Sequence, residues 1–334
     1  MRYLILYVFI FSASFIVTLA GTHVLIRKLR FLREVDAEDS RMFFGRDMAK
    51  PGDVYIPTMG GIAIALGLVI SLLLSLKVID GDNAADLMAG LITIILIALI
   101  GVFDDILIVR RIWRILLPGM AALPLIMVDS DPTKIDIFGY VLEISRFYSY
   151  TIILIGVITC ANLVNILAGF NGLEAGCGAI ACASLFAVSA MLMKMEPYKY
   201  SASSSMIALT MCAACLAFLV FNWYPAKIFP GNVGTYTIGA AIASVVIIGD
   251  MEKAGVIALT PQVAEFFLKM RGGFRAANFG MLVNGTLKYE GKVYSLTHLF
   301  MKYTKVSERR LVGYILGLQA VFGMVAIWSV FWYR

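Results

Sequence analysis

The stretch CANLVNILAGFNGLEAG, residues 160–176, joins two apolar segments at about 147–168 and 175–193 through a short polar turn. It holds three asparagines and one glutamate among glycines, whereas the two flanking segments contain no charged residue. Segments of about 20 apolar residues have the length of a transmembrane α-helix. Amides and carboxylates are costly in hydrocarbon unless something binds them. The stretch therefore indicates two membrane helices joined at a site that binds a polar ligand.

The same apolar character continues along the whole chain. Hydrophobic residues make up 60% of the 334 residues and charged residues 15%, compared with about 25% charged in a typical soluble domain. We predict an all-α polytopic membrane protein, a single integral membrane domain over 1–334. Pro261 should kink or break the ninth span. The ten predicted spans are about 3–25, 58–76, 87–103, 112–128, 147–168, 175–193, 203–221, 233–249, 253–270 and 309–331.

Lysine and arginine concentrate in alternate loops, which predicts the orientation. If the loop after the first span is cytoplasmic, the cytoplasmic side holds 20 of the 28 basic residues. The positive-inside rule then places both termini outside. The net charge of +6 is explained by this topology, and no basic stripe with interleaved aromatics indicates a nucleic-acid partner. The predicted cytoplasmic loops are about 27–57, 104–114, 169–174, 222–232 and 271–307.

Polar residues at the edges of the spans gather at the cytoplasmic end in this topology. They are Asp104, Asp105, Asn162, Asn165, Asn171, Glu174, Asn222, Lys227, Asn232, Gln262 and Glu265. A transporter or scramblase would instead show polar groups at the midplane and inverted repeats, and neither pattern is visible. The asymmetry favours one cytoplasm-facing site.

The residue types in this group suit a metal-bridged diphosphate. Asn162 and Asn165 share a helix face, and amide and carboxylate oxygens are ligands for Mg²⁺, which usually arrives with phosphates. Nearby basic residues suit phosphate groups; they are Lys50, Arg114, Lys227, Arg271 and Arg275. Each residue also has an ordinary explanation: an aspartate pair can cap a helix, an asparagine can join helices, and a basic residue can set topology. The five cysteines indicate buried thiols, and two distant histidines do not indicate a metal site.

Four motifs resemble one known family. GVFDDI, NLVNILAGFNGLEAG, NWYPAKIFPGNVG and TPQVAEF, in this order, are similar to the polyprenyl-phosphate N-acetylhexosamine-1-phosphate transferases. The resemblance runs from GRDMAK to the last span and is strongest to the dolichyl-phosphate N-acetylglucosamine-phosphotransferase branch. It implies transfer of GlcNAc-1-phosphate from UDP-GlcNAc to a polyprenyl or dolichyl phosphate, release of UMP, and Mg²⁺ or Mn²⁺ as cofactor. This is the first step of lipid-linked glycan assembly, as in N-glycosylation, in a plasma membrane or an endoplasmic-reticulum-type membrane. The family analogy also allows a homodimer.

The resemblance also assigns roles to individual residues. Asp104, Asp105 and Arg275 take catalytic positions, the aspartates near the lipid phosphate and Arg275 at the diphosphate and sugar. Asn165 and Asn232 take the metal-ligand positions. The substrate-binding positions that the resemblance assigns are Arg114, Asn162, Asn171 and Phe229, with Asn171 and Phe229 near the uridine. We add Lys50, Glu174, Lys227 and Gln262 as candidate substrate-binding residues from their residue type and their place at the predicted cytoplasmic end.

Two departures from the family pattern leave alternatives open. The family has an aspartate where this chain has Asn232, and the last loop has no histidine in RGGFRAANF beside its arginine. The amide keeps an oxygen ligand but loses one charge. The chain is therefore a natural variant that uses another carboxylate, a protein with an inactivating substitution, or a weak or inactive paralogue that acts as a binding subunit. A different UDP-sugar is a further alternative.

The chemistry predicted from the resemblance needs little covalent participation by the protein. A phosphate monoester is largely ionised at neutral pH, because its second pKa lies near 6. We favour direct displacement by the lipid phosphate, with Asp104 or Asp105 removing a residual proton or orienting the phosphate. A two-step route through an aspartyl-phosphate is the alternative.

Overall fold

The computed structural model describes residues 2–36, 43–48, 50, 54–79, 81–107, 109–128, 134–137, 140–143, 145–196 and 201–332. The predicted site residues all fall within these ranges.

In chain order the helices are α1 (Arg2–Val35), α2 (Gly61–Ser75), α3 (Asp82–Leu107), α4 (Arg111–Ala121), α5 (Leu123–Val128), α6 (Arg146–Ile166), α7 (Leu173–Met195), α8 (Ala202–Asn222), α9 (Gly231–Ile248), α10 (Glu252–Ala258), α11 (Thr260–Arg271), α12 (Leu296–Tyr303) and α13 (Glu308–Trp328).

Within the described ranges the strands form antiparallel two-stranded hairpins in the connections between helices. The hairpins are β1–β2 (Phe44–Arg46 and Tyr55–Pro57), β3–β4 (Lys134–Ile137 and Tyr140–Glu143) and β5–β6 (Met281–Val283 and Thr286–Lys288). The β1–β2 hairpin is tied to the segment before α9, because Phe229 N donates to Pro57 O at 2.8 Å and Gly60 N donates to Phe229 O at 2.9 Å.

Seven helices in the described part of the chain are long and apolar enough to cross a membrane. They are Leu4–Val35, Asp82–Leu107, Ser149–Ile166, Leu173–Met195, Ala202–Asn222, Gly231–Ile248 and Glu308–Phe331. The prediction of an all-α polytopic membrane protein is therefore confirmed.

The other three predicted spans correspond to shorter elements. Two of them match the apolar helices Gly61–Ser75 and Ile112–Val128. The third is divided between α10 and α11, where Pro261 lies in the first turn of α11 as predicted for a helix break. The count of ten spans and the placement of both termini outside remain predictions, because short or broken helices need not cross a bilayer completely.

Helix α9 lies at the centre of the bundle and packs against α2, α3, α6 and α8. Glycines permit two of these contacts. A Cβ on Gly61 of α2 would collide with the backbone of Gly234, and a Cβ on Gly101 of α3 would collide with the backbone of Val233. Small residues let membrane helices approach this closely. The first turn of α9 is thereby held between α2 and α3.

Candidate active site

Four helix ends meet around one cavity. The last turns of α3 and α6 lie beside the first turns of α7 and α9. The cavity has a volume of about 370 Å³. Its lining residues are Phe44, Arg46, Thr58, Asp105, Asn165, Ala168, Gly169, Glu174, Phe229, Pro230, Gly231, Asn232, Thr235 and Phe279. Five predicted site residues therefore share it: Asp105, Asn165, Glu174, Phe229 and Asn232.

Asp105 holds the beginning of α9. Its Oδ1 accepts from the backbone N–H of Asn232 at 2.8 Å, and its Oδ2 accepts from that of Val233 at 3.0 Å. The free N–H groups at a helix start favour a carboxylate in this position. Gly231 makes the approach possible: its φ is +69°, and a Cβ there would lie 2.6 Å from Asp105 Oδ2. Asp105 thus sets the position of the α9 first turn.

Asn165 connects α6 to the same turn of α9. Its Nδ2 donates to Asn232 Oδ1 at 2.7 Å and to Thr235 Oγ1 at 2.8 Å. Asn232 and Thr235 lie three residues apart and so share one helix face. The side-chain Oδ1 of Asn165 accepts no hydrogen bond from the part of the chain that the structure describes. Because Asn165 lines the cavity, this oxygen is available to a ligand.

Glu174 closes the polar turn of residues 167–172. It lies in the first turn of α7, is buried, and its Oε1 accepts from Gly169 N at 2.8 Å. Gly169 has a φ of +113°, and a Cβ there would lie 2.7 Å from the Phe279 ring. The turn therefore brings a second carboxylate, that of Glu174, to the cavity. Phe279 of the last loop packs against the same turn and covers the cavity.

The two aspartates of the predicted pair have different surroundings and different roles. Asp104 is 2% exposed and does not line the cavity. Its Oδ1 lies 2.9 Å from Arg114 Nη2 and accepts from Val109 N at 3.1 Å, and its Oδ2 accepts from the Tyr236 hydroxyl at 3.3 Å. These contacts join the end of α3 to α4 and α9. Asp104 and Arg114 form a structural ion pair behind the cavity.

Asn171 is buried in a network beside the cavity. Its backbone N–H donates to Glu308 Oε1 at 2.8 Å, and its side-chain Nδ2 donates to the same oxygen. Its Oδ1 accepts from Ala226 N at 3.0 Å, and its Nδ2 also lies 3.4 Å from Asp47 Oδ2. The side chain is thus committed to protein partners. It ties the polar turn to α13 and to the α8–α9 connection.

Two further predicted amides lie outside the cavity lining. Asn162 Nδ2 donates to Ile158 O of its own helix at 2.8 Å and to Arg114 O of α4 at 3.4 Å. Gln262 is 2% exposed, and its Nε2 donates to Gln319 Oε1 at 2.9 Å, which joins α11 to α13. The contacts to α4 and to α13 are typical of asparagine and glutamine side chains that join packed membrane helices.

The predicted basic residues do not gather in the first cavity. Lys50 and Lys227 line a second cavity, between the end of α1, the β1–β2 hairpin and the α8–α9 connection. Arg275 is exposed in the loop after α11 and lines neither of these two cavities, although Phe279 of the same loop covers the first. The basic side chain that lines the first cavity, within the described residues, is Arg46.

Sequence reasoning missed Arg46, Thr58, Thr235 and Phe279 as lining residues. Two signals were present. Arg46 lies within the GRDMAK motif that contributed to the resemblance, and Thr235 follows Asn232 by three residues on one helix. Thr58 and Phe279 have no comparable signal, because loops between distant helices bring them to the cavity.

The last loop is ordered around a histidine that was not expected to act. The His298 ring stacks on Tyr289 with centroids 3.6 Å apart, and its Nδ1 accepts from Tyr294 N at 3.4 Å. Burial lowers the pKa of His298 from its ordinary value. The imidazole therefore stays neutral at pH 7 and serves to hold the loop.

The donor set of the first cavity fits a hard divalent cation. Asp105 and Glu174 supply carboxylate oxygens, and Asn165 and Asn232 supply amide oxygens. Mg²⁺ prefers such oxygens and keeps several ligand positions for water and substrate phosphates. The described residues contain no cluster of three or more His, Cys, Asp or Glu that could form a cage. The mixture of carboxylate and amide oxygens suits a cation that also takes ligands from water and from a substrate phosphate.

The fold and the cavity define a polytopic membrane protein with a polar, cation-compatible site where four helix ends meet. The chain belongs to glycosyl transferase family 4, whose model matches residues 87–250.

Sequence relatives extend the match over most of the chain. A protein of Saccharolobus solfataricus, provisionally named a UDP-N-acetylglucosamine–dolichyl-phosphate N-acetylglucosaminephosphotransferase, is 38% identical over 87% of this chain and 89% of its own length. A relative from Sulfolobus acidocaldarius with the same provisional name is 33% identical over 94% and 93% of the two chains. The enzyme of that name from Dictyostelium discoideum is 25% identical over 66% and 63%. The predicted family is confirmed.

Proposed function

We propose that the chain transfers GlcNAc-1-phosphate from UDP-GlcNAc to a polyprenyl phosphate of the dolichyl type and releases UMP. The observation that carries the proposal is the cavity shared by Asp105, Glu174, Asn165 and Asn232 at one end of the bundle. The names of the relatives support this donor and acceptor. The protein is an integral membrane protein. We further propose ten spans, both termini outside, and a cavity that opens on the cytoplasmic face.

The location of the cavity suits the two substrates. The acceptor lipid stays in the bilayer, whereas the UDP-sugar is soluble in water. A site at the end of the α3, α6, α7 and α9 helices meets both at the membrane surface. The core of the bundle between these ends is formed mainly by buried apolar side chains.

The reaction is a single displacement at phosphorus. An oxygen of the lipid phosphate attacks the phosphorus that carries GlcNAc, the bond to the bridging oxygen breaks, and UMP leaves with that oxygen. A bound Mg²⁺ or Mn²⁺ ion supplies charge neutralisation to the diphosphate. Asn165, Asn232, Glu174 and Asp105 are the residues that would hold it.

The other lining residues bind and orient the substrates. Arg46 offers a guanidinium to a phosphate. Phe229 and Phe279 offer apolar faces for the uridine or the sugar. Asp105 keeps the α9 first turn in place, so that the oxygen of Asn232 stays at the cavity.

An activity assay tests the proposal. Purified full-length protein in detergent, with UDP-GlcNAc, polyprenyl phosphate and Mg²⁺, should release one UMP for each lipid-linked GlcNAc formed. Release that requires UDP-GalNAc would identify a different UDP-sugar. Tight UDP-GlcNAc binding with no UMP release would identify the inactive, binding-subunit alternative that Asn232 raises. A labelled phospho-enzyme after UDP-GlcNAc alone would favour the two-step route.

The variant Asn232→Asp should bind the divalent cation more tightly. An aspartate can accept the same hydrogen bond from Asn165 and adds a full negative charge beside the cation. We expect the Mg²⁺ concentration at half-maximal activity to fall roughly tenfold. Without divalent ions its thermal midpoint should fall, because the new carboxylate lies near Asp105.

The matched control is Asn284→Asp, which makes the same chemical change at the exposed β5–β6 turn. It should alter neither quantity. If Asn232→Asp and the control have equal cation affinity, Asn232 does not contact the metal.

A further inference from the structure

A second cavity of about 550 Å³ lies beside the first and has a different character. It is bounded by the last turns of α1, the β1–β2 hairpin and the α8–α9 connection. Its lining includes four basic side chains and one acidic one in the part of the chain that is described: Arg30, Arg33, Lys50, Lys227 and Glu34. Such a lining leaves an excess of positive charge that attracts an anion.

Two of the basic groups are held in place before any ligand binds. The Arg33 guanidinium lies over the Phe44 ring, 4.9 Å from its centroid, and its Nη1 donates to Tyr55 O at 3.4 Å. Lys50 Nζ lies 3.0 Å from Asp47 Oδ2. Preorganised groups bind a ligand with less loss of side-chain entropy.

The other two basic groups are available. The side chains of Arg30 and Lys227 make no hydrogen bond or ion pair with the described residues, and both residues are exposed and line the cavity. An anion between them would relieve their mutual repulsion and that of Arg33. The cavity therefore combines a fixed wall with two uncompensated cations.

The hairpin separates this cavity from the candidate active site. Phe44 is the lining residue that both cavities share among those described. The active-site cavity contains two carboxylates and two amides, whereas the second contains mainly cations. Their ligands must therefore differ in charge: the first suits a cation–phosphate complex and the second suits a bare anion.

The surroundings of the second cavity indicate the source of that anion. The same turns of α1 expose the apolar side chains Phe31 and Val35, with 60% and 68% of their surfaces accessible. This is the end of the candidate span Leu4–Val35, where a membrane helix meets the headgroup layer. Basic pockets beside apolar helix faces at this depth suit the headgroups of acidic lipids.

We propose that this basic cavity binds the phosphate headgroup of an acidic membrane lipid, whose acyl chains lie along α1. Arg30 and Lys227 contact the phosphate, and Arg33 and Lys50 form the charged wall behind it. The site is distinct from the one that carries the proposed transfer reaction, and it does not depend on that reaction.

The test compares lipid binding by full-length wild-type protein, Arg30→Gln and Lys28→Gln. Lys28 is an exposed cation on the same helix that does not line the cavity, so it controls for loss of charge alone. Native mass spectrometry would count retained phosphatidylglycerol against phosphatidylcholine, and a thermal titration would give the apparent affinity. We expect phosphatidylglycerol binding to weaken roughly fivefold in Arg30→Gln and to stay at the wild-type level in Lys28→Gln.

The remaining outcomes separate the explanations. Equal weakening in both variants would overturn the proposal, because the basic residues would then act only through general surface charge. Unchanged binding in Arg30→Gln would overturn it too. A parallel titration with glycerol phosphate identifies the source: stabilisation equal to that by the lipid would show that the cavity takes a soluble phosphate and would overturn the lipid assignment.

Discussion

Asp105→Asn should reduce turnover by at least a hundredfold while most of the protein stays folded. The carboxylate accepts hydrogen bonds from two backbone N–H groups at the start of α9, and it lines the cavity. An asparagine can accept one of these hydrogen bonds but turns an N–H₂ group toward the other donor. We expect about 1–2 kcal/mol of lost stability from that mismatch. The larger effect on turnover has two causes. The substitution removes one carboxylate from the cavity, and it shifts Asn232, so that the side chains that hold the substrate are no longer aligned for the reaction.

The measurement is UMP release, together with the thermal midpoint of each purified variant. Asp82→Asn makes the same change at the exposed far end of α3 and should behave as wild type. The double variant Asp105→Asn with Asn232→Asp restores the number of carboxylates without restoring the two backbone contacts. It should remain nearly inactive. Recovery of wild-type turnover in this double variant would show that the site needs only the charge.

Arg114→Met should destabilise the protein more than any variant of the cavity lining. Arg114 balances the buried Asp104, whose side chain is fully inaccessible. Removing one partner of a buried ion pair leaves an uncompensated charge and costs about 3–5 kcal/mol. Because 33% of the Arg114 side chain is exposed and water can partly replace it, we expect a loss of about 2–3 kcal/mol. Reversible denaturant unfolding, or the thermal midpoint in one detergent, measures it.

The control for this prediction is Arg110→Met, which removes an exposed arginine at the beginning of the same segment. It should change stability little. Adding Asp104→Asn to Arg114→Met should recover more than half of the loss, because the buried charge is then absent. A variant Arg114→Met that keeps its stability but binds UDP-GlcNAc weakly would contradict the structural role and support the substrate contact predicted from the family.

Several features of the fold follow from local sequence. Apolar segments of membrane-spanning length predicted the class, and the structure confirms it. Pro261 predicted the break that separates α10 from α11, because proline cannot donate an interior helix hydrogen bond. The exact number of crossings did not follow, since Gly61–Ser75 and the helices around Pro118 and Pro261 are short, and propensity alone does not decide whether a short helix crosses the bilayer.

The site was predicted as a group and not as individual contacts. The sequence placed amides and carboxylates at one end of the bundle, and Asp105, Asn165, Glu174 and Asn232 share a cavity there. It could not distinguish Asp104 from Asp105, because successive residues on an α-helix point about 100° apart. Which one faces the cavity depends on how α3 is rotated against α9. Likewise, the burial of Asn171 depends on Glu308, which is 137 residues away.

By itself, then, the sequence determined the membrane class, the family, and the chemistry available at one end of the helices, because length, hydropathy and motif are local properties. The tertiary structure alone decided which polar groups bind protein and which face a ligand, since that depends on helix rotation and on contacts between distant segments. It divided the aspartate pair and brought Arg46 to the cavity. It also placed Lys50 and Lys227 in a separate basic cavity, because the β1–β2 hairpin, whose connection contains Lys50, divides that cavity from the one that Asp105 lines.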